Sequence, residues 1–231
     1  MVIDKRLLTK NPYSRPGIGL KTVKGIVIHY VGNAGSSAAN NRDYFEGLGK
    51  SGLTYASSHY IVGLNGEIIQ CVPEDEIAYA SNDRNADTIS IENCHPDATG
   101  KFNAKTYASL VALCADICRR YALSPLKDII RHYDVTGKLC PLYYAKNPAE
   151  WDLLKKDIER ALLAGTALQL RIDGIYMPLN AVNQNGRFYA ALRDIADCLP
   201  EKQVGLRAVL EACGYQVGYI AEQNIVTADQ A

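Results

Sequence analysis

The segment "RHYDVTGKLCP", Arg131 to Pro141, places His132, Lys138 and Cys140 within eleven residues. That set admits three chemistries: a structural turn carrying a buried thiol, a cysteine nucleophile with a histidine base, or part of a metal site. Zinc takes nitrogen and sulfur ligands at about 2.0 to 2.3 Å, and a catalytic zinc keeps three protein ligands with a fourth position open. A third ligand is available at His29, which ends the apolar run in "KGIVIHYVG" and is one of only four histidines, at 29, 59, 95 and 132. Gly137 lets the chain turn back so that His132 and Cys140 can face one point. Glu92 closes "TISIE", and a carboxylate beside an activated water can take its proton and hand one to a leaving amine. Lys138 could place positive charge beside the oxyanion that develops on a carbonyl under attack. Taken singly, each residue has a plainer reading. His29 can be a hydrogen-bonded core residue, Cys140 a small buried hydrophobe, and Glu92 and Lys138 solvated charges.

These side chains need a scaffold, and the hydrophobic patterning predicts one. "GIVI" reads as a buried central strand running up to His29 and Tyr30. A helix follows, capped by Ser36 or Ser37 and ended by Gly47 or Gly49. "SSHYIVGLNGEIIQCV" reads as a hairpin with a type I′ turn at Asn65-Gly66. "DTISIENC" is a further strand. From Asn103 onward, Tyr107, Leu110, Val111, Cys114, Ile117, Cys118 and Tyr121 recur at helical spacing. Asn147-Pro148 starts the next helix, whose stripe is Trp151, Leu154, Ile158, Ala161 and Leu162. Strands interleaved with helices predict an α/β fold with a mixed central β-sheet flanked by helices.

The chain has 231 residues, which suits one domain plus a small appendage, with the boundary expected at 164/165. Residues 165–231 read as a small α+β domain. It has short strands around Gly174 and Asn185-Gly186, then two helical segments led by Leu192-Arg193 and Leu206-Arg207. Lysines plus arginines number 25 and aspartates plus glutamates 25, so no net field favours nucleic acid. The seven cysteines are scattered and odd in number, which fits reduced thiols better than a disulfide framework. The N-terminus lacks the apolar core of a secretory signal, and no run of about 18 apolar residues could span a bilayer. A soluble product without membrane insertion is expected.

"GIVIHYVGN", "SSHYIVGLNGEIIQ", "ISIEN" and "RHYDVTGKLCP", in that order, resemble the zinc-dependent N-acetylmuramoyl-L-alanine amidases of the bacteriophage-lysozyme and peptidoglycan-recognition-protein superfamily. The likeness spans about residues 20 to 163 and is nearest to the branch of phage endolysins and bacterial wall amidases. The resemblance implies Zn2+ on His29, His132 and Cys140, Glu92 as acid/base, and Lys138 beside the tetrahedral intermediate. Its implied substrate is bacterial peptidoglycan, cut between N-acetylmuramic acid and L-alanine after the protein reaches the wall. A non-catalytic peptidoglycan-recognition module is the alternative. His59 and Asn93 are candidate substrate contacts, with His59 equally open to a structural role. Ser58 stands where some members place a catalytic tyrosine, which shifts weight to Glu92. "RIDGIYMPLNAVNQNGRFYAALRD" is similar to the stalk-type domain found at the N-terminus of copper amine oxidases. That likeness implies wall attachment or a homodimer through this domain, and no copper.

Overall fold

The structure, a computed structural model, describes residues 1–164 together with the strand segments 167–172, 175–184, 187–191, 215–220 and 225–230. The chain divides into two compact units, Met1–Ala161 and Leu162–Ala231. Among the described residues of the first unit, the strands are β1 (Ile3–Lys5), β2 (Gly25–Ile28), β3 (Tyr60–Val62), β4 (Ile68–Gln70), β5 (Thr88–Asn93) and β6 (Ile129–Arg131). The helices are α1 (Ala38–Ser51), α2 (Ala104–Tyr121), α3 (Pro125–Asp128), α4 (His132–Thr136), α5 (Leu142–Lys146) and α6 (Pro148–Ala164).

The six strands form one sheet in the order β1-β4-β3-β5-β2-β6. Only β3 and β4 pair antiparallel; β1 with β4, β3 with β5, β5 with β2, and β2 with β6 are parallel. The sheet is therefore mixed, as the interleaved pattern predicts. β2 is an interior strand between β5 and β6, and its Ile26, Val27 and Ile28 are fully buried. A strand covered on both faces has no polar side to write into its sequence, hence the unbroken apolar run.

The helices start where the sequence places them, at polar caps. Ser37 accepts from the Asn40 amide and completes a capping box with the Asn40 side chain on α1. Asn103 Oδ1 accepts from the amides of Lys105 and Thr106 at the start of α2. Three details differ from expectation. Helix α1 runs through Gly47 and Gly49 and stops at Gly52, the residue that takes the left-handed conformation (φ 63°). The β3–β4 hairpin is not closed by a type I′ turn, because Asn65 keeps negative φ and only Gly66 is positive (φ 84°). The Gly66 amide bonds the Gly63 carbonyl and the Gly63 amide bonds the Glu67 carbonyl, so Gly66 serves as a bulge after an ordinary turn. On α2 the buried face carries Leu113 rather than Val111, with Leu110, Cys114, Ile117 and Cys118.

Glu74, in the segment after β4, fastens the sheet to α2. It accepts hydrogen bonds from Tyr60 Oη (2.7 Å), Tyr121 Oη (2.9 Å) and Arg120 Nη2 (2.8 Å). Burial alone would raise the Glu74 carboxyl, but these donors outweigh it and hold the group below the usual range. The five cysteines among the described residues, Cys71, Cys94, Cys114, Cys118 and Cys140, are free and buried.

The second unit contains a five-stranded antiparallel sheet with the order β10-β11-β9-β8-β7. Its strands are β7 (Ala167–Ile172), β8 (Ile175–Gln184), β9 (Arg187–Ala191), β10 (Tyr215–Ile220) and β11 (Ile225–Gln230). The helical segments expected after Leu192-Arg193 and Leu206-Arg207 lie outside the described residues.

Glu74→Gln should lower stability by about 2 kcal/mol at neutral pH, since it weakens charge-assisted bonds to three partners. Because Glu74 titrates lower folded than unfolded, its contribution is complete above about pH 4.3 and fades as pH falls through the folded value. Urea unfolding of wild type and variant should therefore differ at neutral pH and converge as the pH falls through the lowered folded value of Glu74.

Candidate active site

Parallel register brings the chemistry together. Ile28 of β2 lies opposite Ile91 of β5 and Arg131 of β6. The next residue on each strand is His29, Glu92 and His132, so all three stand at one level where the parallel strands end. Ligands of open α/β sheets bind outside this carboxyl edge. His29 follows β2 immediately, its amide bonded to the Ile91 carbonyl (2.9 Å). His132 opens α4, a five-residue helix that ends at Gly137 with φ 77°. That left-handed residue turns the chain back, and the Tyr133 amide bonds the Cys140 carbonyl (2.8 Å), closing the loop.

One ligand atom each from His29, His132 and Cys140 lies within 4.8 Å of the others, and all three residues are buried. Cys140 Sγ is 3.8 Å from His29 Nδ1, and the two imidazole centroids are 4.7 Å apart. Burial, with His132 and Lys138 nearby, pushes His29 well below its ordinary pKa; burial and Lys138 lower His132 as well. Both rings are thus neutral near pH 7, the form that ligates a metal. Burial raises the Cys140 thiol to about 12, with Glu92 adding to the effect. A cysteine nucleophile needs the opposite shift. Two neutral imidazoles and a thiol whose proton a bound cation would displace into solvent fit a zinc ligand set with an open fourth position.

Glu92 is half-buried on the wall of the same cleft, and its Oε2 is sealed from solvent with no hydrogen-bond partner. Burial raises its carboxyl to about 8, while Lys138 pulls it down. An orphaned carboxylate oxygen beside a candidate metal centre is what a proton-accepting group awaiting water and substrate requires. Lys138 is exposed at the rim of the cleft. The cleft encloses about 590 Å3, and Tyr30, Tyr44, Tyr55 and Tyr79 line it alongside Asn41, Asn82 and Asn85. None of these seven is singled out as a site residue by the sequence, because isolated tyrosines and asparagines carry no spacing signal.

His59 and Asn93 are not on the cleft wall. The Ser90 amide donates to His59 Nδ1 (3.0 Å), so that nitrogen accepts and Nε2 carries the proton, donated to the Glu76 carbonyl (2.9 Å). Both nitrogens are occupied inside the protein, and the ring is buried. Asn93 Nδ2 donates to the carbonyls of His29 (2.9 Å) and Ile91 (3.2 Å), bracing the strand ends from within. Both residues brace the framework behind the cleft. Ser58 is also buried, donating to the Tyr60 carbonyl (2.9 Å).

The fold defines the class. The catalytic domain of XlyA superposes with a TM-score of 0.57 at 26% identity, covering 68% of this chain and 99% of that one. A mutant endolysin from Bacillus subtilis gives 0.57 at 28%, with 68% and 99% covered. The family model "N-acetylmuramoyl-L-alanine amidase" matches residues 19–142, and the chain belongs to this family. Amidase CwlL of Bacillus licheniformis is 37% identical over 173 residues, which is 69% of this chain and 47% of that protein. Amidase BlyA of Bacillus subtilis (strain 168) is 31% identical over 187 residues, 72% of this chain and 49% of the relative. The chain thus spans about half the length of these curated relatives. No helix among the described residues is long and apolar enough to cross a membrane.

Burial lowers His59 to about 4, so its ring should remain neutral well below the pH at which an exposed histidine protonates. Imidazole 1H–15N spectra should show the Nε2–H tautomer of His59 at about pH 5.5, under an unperturbed value near 6.5. A protonated ring there would contradict the structural assignment.

Proposed function

We propose that the chain is a zinc-dependent N-acetylmuramoyl-L-alanine amidase that cuts peptidoglycan between the lactyl group of N-acetylmuramic acid and L-alanine of the stem peptide. The observation that carries this reading is the convergence of His29, His132 and Cys140 on one cleft with the unpartnered Glu92 oxygen, in a chain of the amidase family. A zinc ion on those three residues would supply polarisation of the scissile carbonyl and a water acidified towards a pKa of about 7.

The protein's own groups divide the remaining work. Glu92 takes the proton of the attacking water and delivers it to the departing amine of L-alanine. Its raised pKa supports the second half of that cycle, since a carboxyl that readily holds a proton near neutrality can also donate one. Lys138 places its ammonium at the cleft rim, where it faces the oxyanion forming on the substrate carbonyl. The four tyrosines of the cleft give the sugar and peptide flat faces, and Asn41 gives a hydrogen-bonding group. A recognition module that binds without cutting would need neither a buried thiol in the ligand set nor an orphaned carboxylate beside it.

Mass spectrometry of purified muropeptides digested with and without chelator tests the reaction directly. The expected products are a glycan with free lactyl groups and an intact stem peptide, both lost on chelation. Unchanged muropeptides with the zinc-loaded protein would favour binding alone. Glu92→Ala should keep zinc and fold while losing roughly 10² or more in turnover. Lys138→Ala should lower kcat by about 10² with KM little changed, as for loss of one oxyanion-stabilising group.

A further inference from the structure

Two consecutive residues stand behind two of the three candidate metal ligands. Ser81, fully buried, places its Oγ 3.0 Å from His29 Nε2. Asn82 places its Oδ1 3.3 Å from His132 Nε2. The turn that presents them is itself tied down. Asn85 Oδ1 accepts from the amides of Ala80 (3.0 Å) and Ser81 (2.6 Å), and the Arg84 amide bonds the Ser81 carbonyl (3.0 Å). Arg84 is anchored by Asp87 (2.7 Å), and its carbonyl accepts from Thr88 Oγ1 (2.5 Å) at the start of β5. Asn82 adopts the left-handed conformation with φ 52°, a backbone state that Asn tolerates better than most residues and that aims its amide at His132.

The geometry decides which ring nitrogen is free. An amide oxygen can only accept, so Asn82 requires a proton on His132 Nε2 and leaves Nδ1 with its lone pair. His29 Nδ1 faces Cys140 Sγ at 3.8 Å; the Ser81 hydroxyl at Nε2 can donate or accept, and only its accepting the Nε2 proton keeps the Nδ1 lone pair for the cluster. Outer partners of this kind set the tautomer and orientation of ligating histidines. We propose that the Ser81-Asn82 turn is a single clamp that fixes both imidazoles as Nε2–H tautomers and presents both Nδ1 atoms to the metal. This inference rests on the zinc reading above, and it assigns Ser81 and Asn82 as positioning residues that touch neither substrate nor metal.

The test uses the full chain, with cobalt as the spectroscopic probe and 15N-histidine spectra of the chelated protein as a metal-independent readout. Wild type should bind one cobalt with a thiolate charge-transfer band and, without metal, show Nε2–H tautomers at His29 and His132. Ser81→Ala and Asn82→Gly, the latter keeping the positive φ accessible, should each weaken cobalt by about 10- to 100-fold and shift the matching ring to a tautomer mixture. Asn82→Asp, which retains an acceptor, should recover most of the Asn82 loss. Circular dichroism confines the comparison to folded protein. Wild-type affinity and tautomers in both variants, or a loss that Asn82→Asp does not recover, would overturn the clamp. Failure of wild type to bind cobalt through a thiolate would instead overturn the zinc reading.

Discussion

The site depends on the parallel pairing of β2 with β5 on one side and β6 on the other. Register alone sets His29, Glu92 and His132 at one height along three adjacent strands. A one-residue slip of either neighbour would send its side chain to the opposite face of the sheet. That register is enforced by burial: Ile26, Ile28, Ile89, Ile91 and Ile129 are all essentially inaccessible to solvent. Slippage would carry polar groups into the core and apolar ones to the edge. The hydrophobic interior is therefore what aims the polar residues, although none of its side chains takes part in the chemistry.

The same burial makes the arrangement chemically directed. Two imidazoles held neutral, a thiol held protonated and a carboxyl oxygen with no hydrogen-bond partner meet on one cleft. Buried polar groups are ordinarily paired, and an unpaired one calls for a reason such as catalysis, an ion or a water. The contrast within this chain is instructive. His59 is equally buried, yet the Ser90 amide and the Glu76 carbonyl occupy both of its nitrogens. His29 Nε2 and His132 Nε2 meet the Ser81-Asn82 turn, and His29 Nδ1 faces Cys140 Sγ. What each ring faces, framework backbone for His59 and a second candidate ligand for His29, separates the two more than residue type does.

That distinction also explains what could be read in advance. The apolar run of β2, the Asn103 cap and the Pro148 helix start are local signals, and local signals survive into the fold. The cluster of His29, His132 and Cys140 was legible because chemistry restricts which residue types can ligate zinc, and because four motif segments agreed with one family. The exact stop of α1 was not, since Gly47, Gly49 and Gly52 look alike until backbone conformation picks the last. The turn at Asn65-Gly66 misled for a similar reason: the dipeptide permits type I′, but the five-residue connection adopts a bulged form. The burial of His59 and Asn93 behind the cleft could not be read in advance, because adjacency to a motif says nothing about which way a side chain points. Ser81 and Asn82 left no trace in the sequence, as their role arises from partners about 50 residues away.

The central claim is that two imidazoles and the Cys140 thiolate hold the metal. X-ray absorption at the zinc edge of the zinc-loaded protein measures that shell without reference to activity. The account predicts one sulfur at about 2.3 Å with nitrogen and oxygen neighbours near about 2.0 to 2.1 Å, and loss of the sulfur contribution in Cys140→Ala. A shell of nitrogen and oxygen alone in the wild-type protein would contradict it.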